Sequence, residues 1–534
     1  MRVRDLRAED ARAYRALSTG AFGGREPAES PRPFNPAETA IGIDSSSLPG
    51  GVDGVIAAGA RIRHDRIAVG GGVAACGGIG GLAVHPAHRG NGLFGPLLTA
   101  VIARCQGEGM AFSMLYPSNP ALYRRYGYQE VARETEVQVP LGDLQRLRPV
   151  GDRRLVPVTE RTMPRLRALY RELTCEDNGM LLREGPLFPE GVPGDGWSAL
   201  LLEDVDGRDH GYISWTRAAD HTSEEGLEVH EILGRTREDL TALLRSLGSW
   251  STVTSTARLR LRTEDPVLNV LPSGRLRPAP DMPGIVMMRV IDTAAALEAR
   301  PAPDGLEGAI LLTVEDLTVP EGTCRAAGSW KVRAAGGRIT ADPLPQSSAD
   351  PAAGPSSGTE GLVGVVRLDI HAASLLLTGG RTVADARRLG LGADADPAAG
   401  RFLDALLAGP PLGAGCVLTR PPPLPRTPPL PRTPPLPRLR PQTRTSPTAP
   451  STPGALPHGQ AALQVRSDEL REVRHADQDR VQLRRAGPCH DHRQARPGHQ
   501  GRGLGGGPRR CEAPGGRARR PRGGHPLPHP HRGR

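Results

Sequence analysis

The stretch VHPAHRGNGLFGPLLTAVIARCQGEG, Val84 to Gly109, constrains the fold of this 534-residue chain more than any other. A short apolar segment, Gly81 to Val84, reads as a strand and runs into Arg89-Gly90-Asn91-Gly92. Phe94, Leu97, Leu98, Val101, Ile102 and Cys105 then recur at i, i+3, i+4, i+7, i+8 and i+11, the apolar stripe of an amphipathic helix. Gly107 and Gly109 end it. Strand, glycine loop and helix in that order indicate an α/β fold. Successive N–H groups at the helix start, reinforced by the helix dipole, form an anion site suited to a pyrophosphate. Glycine lets the backbone approach closely and Arg89 adds positive field. Taken alone, the loop reads equally as a plain glycine-rich βα turn.

Similar alternation organises the chain into units. In residues 1–135, Asp5 to Leu17 can form a helix, and VIAAGARIR and RIAVGGGVAACGGIGGLAVHP read as strands separated by glycine-rich turns. Residues 136–290 repeat the pattern. TMPRLRALYREL and REDLTALLRSLGSW are helical, SALLLEDVDGRDHGYISWTR is a hairpin around Asp206-Gly207, and GLEVHEILG is a strand. Residues 291–411 read as α+β, with a short helix DTAAALEAR, three strand regions, and two helices near the end. Within them SSADPAAGPSSGTEG reads as a flexible loop. From residue 412 to 534 lasting periodicity disappears, apart from a weak helical patch ALQVRSDELREVRHADQDRVQL. Pro, Gly and Arg dominate, so this tail is expected to be disordered. Arg420 to Arg534 carry 23 Arg and no Lys against 7 Asp plus Glu, a surplus of 16. With a whole-chain charge of +10, residues 1–419 therefore carry −6.

The seven Cys, at 76, 105, 175, 324, 416, 489 and 511, form no CxxC pair or disulfide framework and read as free thiols of a reducing cytoplasm. No apolar h-region opens the chain and no run of 18 apolar residues occurs, so neither a signal peptide nor a membrane span is expected. Cys489, His490, His492 and His499 cluster without a standard zinc spacing, and no metal is expected. The repeat PPLPRTPPLPR has PxxP spacing and would form a polyproline helix, a ligand for SH3-like grooves. The Arg-rich end could hold nucleic acid non-specifically, but few aromatics accompany it, and nucleic acid is not the expected partner. Arg, Ala, Gly and Pro are in excess and Lys331 is the single lysine, which suggests a GC-rich, bacterial coding sequence.

A second motif narrows the reading. In MLYPSNPALYRRYGYQEV a strand, Ser113 to Tyr116, precedes a short helix carrying Tyr123, a turn at Gly127 and a strand from Tyr128. Together the two motifs resemble the GNAT superfamily of N-acetyltransferases, whose pattern is Arg/Gln-x-x-Gly-x-Gly/Ala followed some thirty residues later by Tyr-x-x-x-Gly-Phe/Tyr. Arg89-x-x-Gly92 matches; Phe94 stands where the family has Gly or Ala. HRGNGLF and YRRYGY are similar to HRRRGLL and YGRFGY of the Eis-like branch, and MMRVIDTAAALEAR also looks like that branch. The resemblance covers about residues 1–411. It implies an active GNAT domain, a second GNAT-like domain lacking the cofactor loop, and a C-terminal domain resembling sterol carrier protein.

The resemblance also implies roles. Acetyl-CoA would lay its pyrophosphate on Arg89, Gly90, Asn91, Gly92 and Leu93, and its pantetheine along Leu82, Ala83 and Val84 like an added strand. Ser118 would bond the cofactor arm or else cap the helix after it. A neutral amine attacks the thioester and Tyr123 protonates the leaving thiolate; an ordinary Tyr is protonated at neutral pH. Tyr126, at a Phe position of the family, and Tyr128, at a strand start, are rivals that suit packing and core better. His85 and His88 read as exposed loop histidines, Cys105 as core, and Glu26 as a solvated carboxylate that could attract an amine.

No carboxylate in ACGGIGGLAV offers itself as base. The resemblance implies that the chain's own terminal carboxylate enters the first cleft, in a chain ending soon after Pro411. Leu412 to Thr419 can be encoded CTG GGT GCT GGA TGT GTT CTG ACC, which one base later reads Trp-Val-Leu-Asp-Val-Phe and a stop. Residues from Leu412 are therefore expected to be a frameshifted reading. The expected activity is acetyl transfer from acetyl-CoA to a primary amine of a small polycationic, aminoglycoside-like molecule or of lysine, in a hexamer by resemblance. The rivals are a catalytically silent acyl-CoA- or lipid-binding protein and a regulator that uses the basic tail on DNA.

Overall fold

Two glycines turn the longest hairpin among the described residues of the protein. Its computed structural model describes residues 2–23, 33–194, 196–217, 226–272, 277–278, 284–345 and 361–413. All of these belong to the first of two units, Met1–Arg432; the second, Thr433–Arg534, lies outside the described residues. So do Glu26, the Pro/Arg repeat, the weak helical patch, the cluster around His490 and nearly all of the loop expected near Pro355.

The first sheet contains β1 (Arg4–Asp5), β2 (Glu38–Asp44), β3 (Ile56–Val69), β4 (Gly72–Val84), β5 (Phe112–Leu115) and β6 (Gln129–Arg133), with helices α1 (Ala11–Phe22), α2 (Phe94–Gly107) and α3 (Pro120–Arg124). The helix expected from Asp5 starts six residues later. Arg4 and Asp5 instead form an edge strand on β2, fixed by Arg4 hydrogen bonds to Asp10 (2.7 Å) and Asp44 (2.6 Å). β3 is one strand rather than two, because Gly70 and Gly71, with φ of +58° and +92°, close a two-residue turn that pairs Val69 with Gly72. The α2 stripe packs as its spacing requires: Leu97, Leu98, Val101, Ile102 and Cys105 are fully buried against the sheet.

Residues Ile285–Val290 insert antiparallel between β5 and β6, so a segment from beyond the second repeat completes the first sheet. The second sheet takes β7 (Thr135–Pro140), β8 (Arg153–Pro157), β10 (Ser198–Asp204), β11 (Asp209–Arg217), β12 (Leu227–Gly234), β13 (Thr256–Leu261) and β14 (Arg277–Pro278), with α4 (Leu141–Gln145), α5 (Met163–Thr174) and α6 (Arg237–Gly248). β10 and β11 are the hairpin expected around Gly207, whose φ is +78°. β9 (Asn178–Leu181) leaves this sheet to pair with β3. The inserted segment is β15 (Ile285–Val290).

After α7 (Thr293–Glu298) comes a five-stranded sheet ordered β18-β17-β16-β19-β20. Its strands are β16 (Gly308–Glu315), β17 (Gly328–Ala335), β18 (Arg338–Pro343), β19 (Leu362–Asp369) and β20 (Ala393–Ala395). Helices α8 (Ile370–Leu376), α9 (Val383–Arg388) and α10 (Pro397–Leu406) cover it. The fully buried Arg289 of β15 ties this part to the first sheet, through an ion pair with Asp316 and a bond to the Tyr126 carbonyl. The segment after α10 then crosses to β9. Asn178 donates from Nδ2 to the Pro410 carbonyl (2.6 Å), Gly413 N–H donates to the Asn178 carbonyl (3.0 Å), and Leu412, 2 % exposed, covers Gly179. Among the described residues no helix is long and apolar enough to cross a membrane, and no group of three or more His, Cys, Asp or Glu could hold a metal ion.

Candidate active site

The site starts where two parallel strands part. β4 pairs with β5 from Cys76↔Phe112 to Ile79↔Leu115 and no further, while β4 runs on to Val84. One extra residue in β4 opposite Gly59–Arg61 makes a bulge, with Gly81 at φ +60°. The bulge is held from the α1 side by the Tyr14 hydroxyl, which donates to the Gly81 carbonyl (2.8 Å). A methyl group on Gly81 would collide with that hydroxyl. Past the bulge, His85 N–H donates to the Ala57 carbonyl of β3 (2.8 Å). Because backbone groups alternate sides along a strand, the Val84 N–H and C=O face away from β3, into the gap left by β5. Arg89 folds back there and donates from Nε to the Val84 carbonyl (3.3 Å).

The gap opens onto the start of α2. Arg89, Gly90, Asn91 and Gly92 are exposed; Leu93 is buried. Gly90 and Gly92 adopt φ of +83° and +70°, and nothing lies within 4 Å of where a side chain would begin on either. No side chain caps the helix and no acid sits in its first turn, so nothing of the chain's own competes for an anion there. Of the strand residues, Leu82 and Val84 are half-buried and Ala83 is buried.

Tyr123 lies in α3, 7 % exposed, with its ring edge-on to Phe94 (5.5 Å between centroids) and to Tyr128 (6.0 Å). Burial pushes its hydroxyl up to about 12, which keeps it protonated. Phe94, the departure from the family pattern, thus forms part of the wall that dries Tyr123. Tyr128 is fully buried and hydrogen-bonded to Ser113 Oγ (2.7 Å), a core residue. Tyr126 is half-buried and edge-on to Phe94 (5.9 Å).

Three residues depart from the sequence expectations. His88 is not an exposed loop residue: the one-turn helix Pro86–His88 turns it inward, 7 % exposed, with Nε2 2.7 Å from Ser45 Oγ. His85 is half-buried and accepts from Ala87 N–H at Nδ1 (3.3 Å). Ser118 is exposed and is not the helix cap; Asn119 caps α3 by accepting from Ala121 N–H (3.1 Å). The sequence also hid Asp65. It lies on β3, 4 % exposed, and reaches across Gly78 to the point where β4 and β5 part. Strand alternation in RIRHDRIAV was the available signal, since Arg61, Arg63 and Asp65 share one face.

Residues 2–131 match the acetyltransferase (GNAT) domain family, and residues 179–290 match a second acetyltransferase (GNAT) domain family. The protein thus carries two GNAT acetyltransferase domains. Its fold is similar to that of a GCN5-related N-acetyltransferase from Kribbella flavida, at 22 % identity and TM-score 0.59, covering 77 % of this chain and 96 % of that one. It is also similar to a GCN5-related N-acetyltransferase from Anabaena variabilis ATCC 29413, at 18 % identity and TM-score 0.61, over 77 % and 98 %. Eis1 from Mycobacterium abscessus aligns at 20 % identity and TM-score 0.56, over 78 % and 99 %. No curated protein matches the sequence.

Proposed function

We propose that the first GNAT domain transfers acetyl from acetyl-CoA to a primary amine. The observation that carries this reading is the parting of β4 from β5 directly beneath an uncapped helix start. A pyrophosphate on Arg89–Leu93 leaves the pantetheine running back along Val84 toward Leu82, with the Val84 backbone groups as its partners. The thioester then lies beside Gly80 and Gly81, at the closed end of the gap. The amine attacks there as Tyr123 supplies a proton to the leaving sulfur. The acceptor class is the polycationic or lysine amine that the Eis-like resemblance implies.

The same resemblance supplies a base at a chain terminus, with the third part of the chain, read as sterol-carrier-like, delivering it. In support, Leu412 and Gly413 are seated on Asn178 and Gly179 and abut Met180, next in sequence to Leu181 of the first-domain cleft. Six residues of the shifted reading frame would reach into it. The test is free-thiol release from acetyl-CoA with a panel of aminoglycosides and polyamines. It compares the full 534 residues with a chain continuing after Pro411 only as Trp-Val-Leu-Asp-Val-Phe. Turnover by the short chain alone establishes the terminal carboxylate as necessary; equal turnover dispenses with it. Binding of acetyl-CoA without thiol release by either chain replaces the enzyme with a silent acyl-CoA binder.

A further inference from the structure

The floor of the β4–β5 gap has almost no side chains of its own. Gly80 and Gly81 line β4 past its last pair with β5, and Gly78 lies one rung before it, so groups from neighbouring elements reach over the strand. On the face shared by β3 and β4, Arg61 pairs with Gly80, Arg63 with Gly78 and Asp65 with Cys76. The Asp65 carboxylate leans over Gly78, so closely that a methyl group on Gly78 would collide with Oδ2. It is buried, and Arg63 fixes it through Nη2 to Oδ1 (2.9 Å) and Nε to Oδ2 (3.1 Å). The Arg63 guanidinium in turn lies over the Phe188 ring, 5.4 Å from its centroid. Asp65, Gly78, Ile79, Leu115, Tyr116 and Leu181 enclose a cleft with a free volume of about 10 Å³, at the threshold for one ordered water. Arg63, Tyr116 and the thiol of Cys76, paired opposite on β4, are the titratable groups beside the carboxylate there. The cleft sits at the last paired rung of β4 and β5, and Gly80 follows Gly78 at roughly 7 Å along a strand. One water, with two hydrogen bonds of about 2.8 Å, spans most of that gap.

We propose that Asp65 is the proton acceptor for the acceptor ammonium, reached through one water held in this cleft. The inference rests on the acyl-transfer reading and is the alternative to a terminal carboxylate as base, placing the proton acceptor within the first domain whatever follows Leu412. Acetylation of an ammonium removes two protons from nitrogen. The first passes through the water to Asp65 Oδ2 and on to solvent, freeing the lone pair. The amine nitrogen then bonds to the thioester carbon to give a tetrahedral adduct, whose collapse breaks the C–S bond while the thiolate takes the Tyr123 proton. The second nitrogen proton leaves as the adduct collapses and restores Tyr123. The role of a carboxylate on β4 is thus taken by the adjoining strand, reaching across a glycine.

The test is Asp65→Asn in the full chain, together with Asp65→Asn/Arg63→Gln, which leaves no buried unpaired guanidinium. Thiol release is followed from about pH 6 to 10, and acetyl-CoA binding by calorimetry. Expected for both variants is a loss in kcat/KM on the order of 10²-fold at pH 7, with acetyl-CoA affinity unchanged. Their rates should keep rising about tenfold per pH unit where the wild type levels off, because only amine already neutral in solution reacts. Variant rates within about threefold of wild type at every pH overturn the proposal, as does loss of acetyl-CoA binding in both variants, which marks a structural role. A silent full chain beside an active chain ending Trp-Val-Leu-Asp-Val-Phe gives the base to the terminus and overturns this inference alone, whereas no thiol release from either chain sinks the acyl-transfer reading itself.

Discussion

The two GNAT domains diverge most at the start of one helix. In the first, β4 leads through Gly90 and Gly92 to α2, which has no side-chain cap and no acid in its first turn. In the second, β12 leads to α6, where Thr236 and Asp239 cap one another. Thr236 Oγ1 accepts from Asp239 N–H (3.2 Å), and Asp239 Oδ2 accepts from Thr236 N–H (3.1 Å). Glu238 adds a second acid to that turn, and Arg153 holds Asp239 from outside (2.8 Å). In the second domain a carboxylate of the chain thus occupies the helix start that, in the first, is proposed to receive a pyrophosphate. The strands differ less. β12 also stops pairing with β13 early, at Val229↔Leu259, yet Glu231 beyond it is bound by Arg183 (2.7 Å) and Tyr212. One fold thus occurs twice with opposite helix starts, open in the first domain and capped by a carboxylate in the second, which is the contrast the proposed acyl-CoA site predicts.

The contrast breaks most visibly at Tyr123, which contacts the reacting sulfur in the proposed mechanism. Tyr123→Phe should lower turnover on the order of 10²-fold while leaving acetyl-CoA affinity within about twofold. Since burial holds the hydroxyl at about 12, the wild-type rate should show no alkaline fall below about pH 11; a fall near pH 9 would remove Tyr123 as the acid. Next in size is Arg89→Ala, expected to weaken acetyl-CoA about tenfold, an effect that shrinks as salt rises. Unchanged affinity in a calorimetric titration would put the phosphates elsewhere. Smallest is the change in the second domain. Asp239→Ala should cost about 1–2 kcal/mol of stability in urea unfolding, with one acetyl-CoA still bound per chain at the original affinity. A second equivalent appearing in that variant would show that the cap alone keeps α6 closed.

What the sequence disclosed and what it hid divide by range. The α2 stripe and the loop before it were legible because Arg89 to Cys105 are contiguous and their period is local. So was the turn at Gly127, where φ is +77°. The partners of a strand are not local. Nothing in IVMMRV says that it inserts between β5 and β6 rather than opening a new sheet, since a strand buried on both faces reads alike in either. His88 was misjudged because its exposure depends on Ser45, far along the chain and on no shared pattern. Asp65 was passed over for a similar reason. Its face was readable from alternation, but its reach over Gly78 required the register Arg63↔Gly78.

That borrowed strand, β15, also orders events in time. β5 and β6 leave a ribosome before any of the second domain exists, and each carries an open edge until Ile285–Val290 arrives. At about 5–20 residues per second the delay is on the order of ten seconds, long for two exposed strand edges in a crowded cell. The sheet that carries the proposed acetyl-CoA site is therefore completed only after the second domain has been made, although most of it is encoded first. Until then the first sheet is unfinished and its open edges can pair with other chains.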